Sequence, residues 1–571
     1  MKSSRKKPPI EIFRSEEYMK PKQKLKPLIT LVASNSDNKG FIFIVALVLI
    51  GILALVGTTS VMTTTTDIKI SDNYKTSSQA FYTAEAGIHD GINRLLNGAI
   101  IDDSKTDPVW NGTAAYTSVG FNNVFTLIHK VDSETVLNDS NGNPLYVITS
   151  TGTSSSSRKV LEAVFSLAYD PIFNDSLLGC DGVYASSSIE TDSYNSDSGT
   201  YGSQPHGNHG NISTTNSGAT ITIASSSDIN GNVNSTGNIT INSSANVHGN
   251  ANATGNITMN SSADVFGDLN TGGSLSLVSS ARIYGNVNAT GNINLTSSSQ
   301  IDGNAITAGN ISLSSSSDII GNATAGGTVN VDSGASVSGT IAQSYAGYPG
   351  YPGIPTSLCD PLDTTSYFND NVAPITSDNN NGELSGTPYN SSTKVFSLSS
   401  SNSYTLGTTG QSKKYYFSSL SVSSSSDLTI RGDVTLYVNG NFTFSSSSDL
   451  DLTSDAKLTL YVTGIVSIGS SGKVNASNDK KPANFLIWSS ASSASNSDYK
   501  ISLTSSSDIY AAIYAPGAAI NITSSVDLYG SVRGKYVRIS SSGNFHYDQA
   551  LQSIAVGNPT NYKIISWREI D

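Results

Sequence analysis

Ile239-Thr240-Ile241-Asn242-Ser243-Ser244-Ala245-Asn246-Val247-His248-Gly249-Asn250-Ala251-Asn252-Ala253-Thr254-Gly255-Asn256 is one turn of a unit that recurs every 18 residues from Ile221 to Ile341. Its first position is Ile221, Ile239, Ile257, Leu275, Ile293, Ile311 or Val329. Its ninth is Ile229, Val247, Val265, Ile283, Ile301, Ile319 or Val337, and Gly follows two residues later. Apolar residues two apart, ended by Gly or Asn-Gly corners, read as short strands joined by tight turns. One such coil cannot bury its own apolar face, but stacked coils bury one another's, so the period predicts a β-solenoid. Seven coils at ~4.8 Å each make a rod of about 34 Å.

The repeat is chemically quiet. Acyltransferases built on 18-residue coils want aliphatics every six positions and a catalytic His. Here the seventh position is always small (Ser227, Ala245, Ala263, Ala281, Ser299, Ser317, Ala335), and His248 is the one histidine of the repeat. Arg282 is its one basic residue, so the paired acids and bases of a glycan-cleaving site are missing. Asp228, Asp264 and Asp318 share a coil position interrupted by Asn246, Arg282 and Gln300, which reads as a solvated row discouraging lateral aggregation. No catalytic residue, cofactor or metal site is expected. His206 and His209, in a turn-rich stretch, and His546 near Asp548 read as structural.

Upstream, Phe41 to Met62 carries no charge, long enough for the ~20 residues a helix needs to cross a bilayer. Residues 1–40 hold ten Lys/Arg against four Asp/Glu, a basic flank that belongs on the cytoplasmic side. The remaining residues hold 22 Lys/Arg against 40 Asp/Glu, a balance that repels nucleic acid and anionic lipid. From Thr63 to Leu96 there is no Pro, and Phe81, Ala84, Ile88, Ile92 and Leu95 recur at helical steps. One helix from 41 to 97 is predicted, lipid-facing in its first half and packed on a small domain in its second.

Gly40-Phe41 ahead of this helix resembles a prepilin-peptidase site. Gln79-Ala80-Phe81-Tyr82-Thr83-Ala84-Glu85-Ala86-Gly87-Ile88 resembles the N-terminal domain of PilX-type minor pilins. The resemblance implies an inner-membrane protein with a cytoplasmic N-terminus and a periplasmic or extracellular body. It also implies cleavage between Gly40 and Phe41, then assembly with other pilins or pseudopilins by the inner-membrane machinery of a type IV pilus or related system. Major pilins carry Glu at the fifth mature position, where this chain has Val45, and that departure implies a minor subunit. The 18-residue repeat resembles, in architecture, the polymerising scaffolds called bactofilins.

The expected fold is mainly β. A basic leader (1–40) and the helix (41–97) precede a small β-sheet domain (98–170), with turns at Gly98, Asn111-Gly112 and Asn141–Pro144 and strands at 124–128, 145–149 and 160–165. A solenoid lead-in (171–220), the repeat (221–341), a Pro/Gly linker (342–389), a second solenoid-like domain (390–550) and a C-terminal tail (551–571) follow. Cys180 and Cys359 bracket the repeat, and an even pair in an exported chain suggests a disulfide, with free thiols as the alternative. Tyr345, Tyr348 and Tyr351 read as linker packing, with sugar stacking as the alternative. Together these features predict a non-enzymatic, single-pass pilus subunit that displays solenoids for structure or adhesion to a glycan or cell. The alternatives are a membrane-anchored scaffold that polymerises through solenoid ends, and a surface adhesin outside a pilus.

Overall fold

The computed structural model describes residues 39–96, 118, 121–129, 131–132, 135–136, 145–168, 171–348, 350–384, 388–469, 471–476, 479–504, 506, 508–523, 525–554 and 561–570. The basic leader and the turns expected at Gly98, Asn111-Gly112 and Asn141–Pro144 lie outside these residues, as does the side chain of Leu95.

Helix α1 runs from Lys39 to Leu96. All its side chains from Phe41 to Lys75 are exposed, and its first half is apolar enough to cross a membrane. A threonine run then continues it despite β-branching, because each hydroxyl has a backbone partner. Thr63, Thr64, Thr65 and Thr66 donate to the carbonyls four residues back at 2.7–2.9 Å. Beyond Ala80 the helix becomes amphipathic. Ala84, Ile88 and Ile92 are buried against Phe125, Tyr146, Ile148, Leu161, Ala163 and Phe165 of an antiparallel sheet.

That sheet has four strands in the order Asn123–His129, Leu145–Ser154, Ser157–Ala168, Asn561–Glu569. The last strand corrects the expected tail. Residues near the C-terminus pair with Ser157–Ala168 from Asn561↔Ala168 to Glu569↔Leu161, and Trp567 packs on the helix–sheet core. Everything between 169 and 560 is therefore an insertion in this small domain. Deleting residues 555–571 is expected to raise amide hydrogen exchange in Ala80–Ile92 on the order of tenfold while the solenoid stays protected. Unchanged exchange there would contradict a structural role for the strand.

The insertion winds into parallel coils, three strands to a coil along the repeat. Six of the seven coils turn at a serine in the left-handed region, Ser226, Ser244, Ser262, Ser280, Ser298 and Ser316 with φ between 57° and 65°, and the last turns at Gly334 with φ 87°. Elsewhere in the repeat glycine serves close approach. A Cβ at Gly303 would lie 2.3 Å from the Gly285 carbonyl of the preceding coil. The Asn beside each Gly explains its own recurrence. Asn232 Oδ1 accepts from the Asn250 amide, Asn286 from Asn304 and Asn304 from Asn322, so each coil holds the next.

The two expected solenoids are one rod. A single in-register ladder runs Phe396, Leu420, Phe442, Val466, Ile501, Ile520, Val537, Val183, Ile221, Ile239, Ile257, Leu275, Ile293, Ile311, Val329. These residues share one apolar core, and at ~4.8 Å per coil the ladder spans roughly 65–70 Å. Spatial order breaks chain order at Val537–Val183. The chain enters the rod at its middle, climbs to Ile341, returns, and winds back from the opposite end to meet its own first coil. Both links to the small sheet thus leave from mid-rod.

The linker is the return path. Tyr348 donates to Asn288 at 2.6 Å, Ile354 N–H to Thr254 at 2.9 Å and Ser357 N–H to the Thr215 carbonyl at 3.3 Å, a strap running down the wall. Helix α2 (Thr364–Ser377), not expected from the Pro/Gly content, then lays Phe368, Val372 and Ile375 on an aromatic row of Tyr437, Tyr461, Trp488 and Tyr514. The far end of the rod is blocked. Tyr389–Asn390 pairs antiparallel with Val395–Phe396, and Asn381 accepts from the Tyr416 amide and donates to its carbonyl.

Candidate functional site

Gly40 lies in the first turn of α1, and Phe41 is exposed at the start of its apolar half. Ala84 and Gly87 face the sheet at the closest helix–strand approach, while Glu85 and Ala86 are half-buried. Small residues are required there on both sides. A Cβ at Gly152 would lie 2.2 Å from the Ala80 carbonyl and 2.3 Å from the Ala84 nitrogen. The Ala84-Glu85-Ala86-Gly87 phrase is thus a backbone-contact surface for Leu145–Ser154.

The seam at mid-rod gathers the buried charged and imidazole side chains of the described residues: Asp192, Arg533, His546 and Asp548. Cys180 and Cys359 are joined by a disulfide with Cα atoms 5.2 Å apart, fixing the end of the strap to the first coil. Beside it Arg533 is 7% exposed, lies 5.7 Å over the Tyr514 ring and donates its hydrogen bonds to backbone carbonyls. Its Nε lies 3.1 Å from the Cys359 carbonyl, and its Nη2 3.0 Å from those of Leu358 and Cys359. Its Nη1 lies 3.4 Å from the Ile172 carbonyl. Nothing in the local sequence marks this arginine; only its ladder neighbours, Tyr514 and Leu178, place it at the seam.

Asp175 sits at the same joint, accepting from the Ser213 hydroxyl at 2.8 Å. Burial pushes its carboxyl up to about 6, against the pull of Ser213 and Arg533. The folded state therefore holds a proton that the unfolded chain, with its ordinary carboxyl, has released. Stability should rise as pH falls from about 6 toward 4, on the order of 2 kcal/mol once residual exposure is allowed for. Thermal melts of Asp175→Asn should lose this slope; an unchanged slope would assign it to another group, such as Asp548, which burial also raises.

On the rod's opposite corner, Tyr510, Tyr529, His546 and Asp192 follow one another in register. Asp192 is 3% exposed. It accepts from Tyr201 Oη, lies 2.7 Å from His546 Nδ1 and 3.2 Å from His206 Nδ1. His546 thus pairs with Asp192, 354 residues away, rather than with its sequence neighbour Asp548. Asp548 instead accepts from the Ser196 amide and hydroxyl at 2.9 and 2.7 Å. His209 meets Gln549 at 3.0 Å. Among the described residues no three His, Cys, Asp or Glu converge as a metal site, and no nucleophile accompanies the His546–Asp192 pair. The tyrosines of 345–351 belong to the strap.

Two family matches fall on these parts. Residues 360–554, the half of the rod wound after the strap, match a domain of unknown function, DUF7305. Residues 39–89 match the PilX N-terminal family. A comparison with curated proteins finds no match. Among solved structures, the competence-associated pilin ComZ from Thermus thermophilus is similar at 12% identity over 87% of this chain and 97% of its own, with a TM-score of 0.18. A possible adhesin C-terminal domain from Caldicellulosiruptor kronotskyensis is similar at 12% identity over 52% and 92%, also at 0.18. At that score neither structural likeness carries an argument. The PilX match spans Gly40-Phe41, the apolar half of α1 and the close approach at Ala84–Gly87, and so the chain carries a PilX N-terminal domain.

Proposed function

We propose that this protein is a non-enzymatic minor subunit of a type IV pilus or a related assembly. The observation that carries the reading is α1 itself, matched to the PilX family: apolar and bare over its first half, packed on a sheet over its second. Such a helix is stable in lipid before assembly and against the helices of other pilins afterwards. The leader stays cytoplasmic, prepilin peptidase cuts between Gly40 and Phe41, and the rod stands outside the inner membrane. Val45 leaves the mature helix without a carboxylate at its fifth position, so it cannot neutralise a neighbour's terminal amine, which suits a subunit outside the bulk of the fibre.

The blocked far end of the rod favours this reading over a head-to-tail polymer of solenoids. With Asn381 and Tyr389–Asn390 already on the edges of the first coil, a second rod has few strand edges there to continue. Mass spectrometry of the protein from membrane and sheared-fibre fractions tests the proposal. A mature N-terminus at Phe41, lost in cells lacking prepilin peptidase, is expected. An intact N-terminus in both backgrounds would overturn it.

A further inference from the structure

The corner column that begins with Tyr510, Tyr529, His546 and Asp192 does not end at the seam. Its next positions along the rod are Asn230, His248, Phe266 and Tyr284, one per coil. Its two halves differ in cover. Tyr529, His546 and Asp192 are buried under the segment around Tyr201, whose ring lies 4.0 Å from His546 and 3.8 Å from His206. Beyond Asn230 the column is bare. Phe266 and Tyr284 are 39% and 37% exposed, and His248, Phe266 and Tyr284 stack in parallel with centroids 4.8 and 4.7 Å apart. Where cover stops, a cleft of about 380 Å³ opens, lined by Glu190, Asp192, His206, Gly207, Asn208 and Asn230.

We infer that this cleft and the bare strip beside it form a binding site for a non-anionic oligosaccharide. The inference rests on the rod being displayed outside the cell. Three properties select the ligand. The cleft offers carboxylate and amide acceptors and no Lys or Arg, so it takes a donor-rich, uncharged or amino-bearing molecule and repels acidic polymers. The strip is apolar and flanked by carboxylates, Asp228 at 2.7 Å from His248 among them, which suits a chain of rings with C–H faces and hydroxyl rims. A peptide strand is disfavoured, because the wall's backbone groups are consumed between coils and leave no edge to extend. Arg282, held by Asp302 at 2.6 Å and lying 4.3 Å over Tyr284, closes the strip at its far side.

Calorimetry on the full-length protein tests this, in a detergent without a sugar headgroup, with glucosamine hexamer, cellohexaose and hexagalacturonate as probes. Saturable binding of the glucosamine or cello probe is expected, and none of the galacturonate. His206→Ala and Phe266→Ala, both at exposed rings, should each weaken binding about tenfold without lowering the melting temperature. Asn208→Ala, farther from any packed group, serves where either variant melts early. Absence of binding by the first two probes, equal affinity in the variants, or comparable binding of the galacturonate would overturn the assignment. Because the assay uses purified protein, its failure leaves the pilus reading standing, and that reading fails separately at the N-terminus.

Discussion

Replacing both Cys180 and Cys359 by Ser is expected to lower the unfolding free energy of the rod by roughly 5 kcal/mol, the chain-entropy value for a loop of this length. The two cysteines are 179 residues apart, and the loop they close contains the whole 18-residue repeat and its strap. In the unfolded chain that loop is the largest constraint available. In the folded rod the same bond holds the strap's end against the seam, where spatial and chain order part. Urea denaturation of wild type and double variant, each with and without reductant, measures the effect. Reductant should destabilise the wild type to the level of the variant and leave the variant unchanged. A wild-type loss below ~1 kcal/mol would mean that the seam strands already hold the two halves together and the bond adds little. The repeat on the far side should keep its exchange protection in either case, because each coil is held by its nearest neighbours.

The repeat was legible because each coil states its chemistry again 18 residues later, and the strands at 124–128, 145–149 and 160–165 because β-branched residues cluster there. What stayed hidden depends on partners chosen at long range. Val183 and Val537 look like any other inward residue, and nothing local says that the coil around one stacks on the coil around the other. Thr191 disguises the joint further, standing on a ladder of Ile and Val with its hydroxyl turned to the Gly210 carbonyl at 2.7 Å. The same blindness hides the partner of His546. Asp548 is two residues away in sequence, yet the ladder brings Asp192 from 354 residues away. Glycine misled for a different reason. Its turn propensity points to corners, but a stacked coil needs it where backbones touch, and serine takes the left-handed position in six of the seven coils. The helix phrase Ala84–Gly87 was readable as a likeness before its cause was visible. The cause is the contact with Gly152 on a strand that no local pattern ties to it.

Arg533→Met should cost about 3 kcal/mol or more, although the replaced side chain touches no acidic group directly. The guanidinium is buried, and burial pulls its pKa down from the ordinary value, so the site holds a cation at a desolvation penalty. Carbonyls offset that penalty: those of Leu358 and Cys359 from the strap and Ile172 from the segment leading into the rod. Methionine fills much of the volume but leaves those acceptors without donors in a place water reaches poorly, and each such loss costs about 1–3 kcal/mol. Lysine should not rescue, because one ammonium cannot reach carbonyls spread around a planar fork. Hydrogen exchange at residues 357–360 separates this from a general loss of packing. Those amides should open in Arg533→Met while Ile239–Met259 stays protected, and an unaltered pattern would refute the role. Combining Arg533→Met with the cysteine replacements sharpens the test. Both restrain the same residue, Cys359, so the triple variant should lose less than the separate losses added together. Full additivity would mean that strap and seam are held independently, and that the arginine stabilises the rod through Ile172 alone.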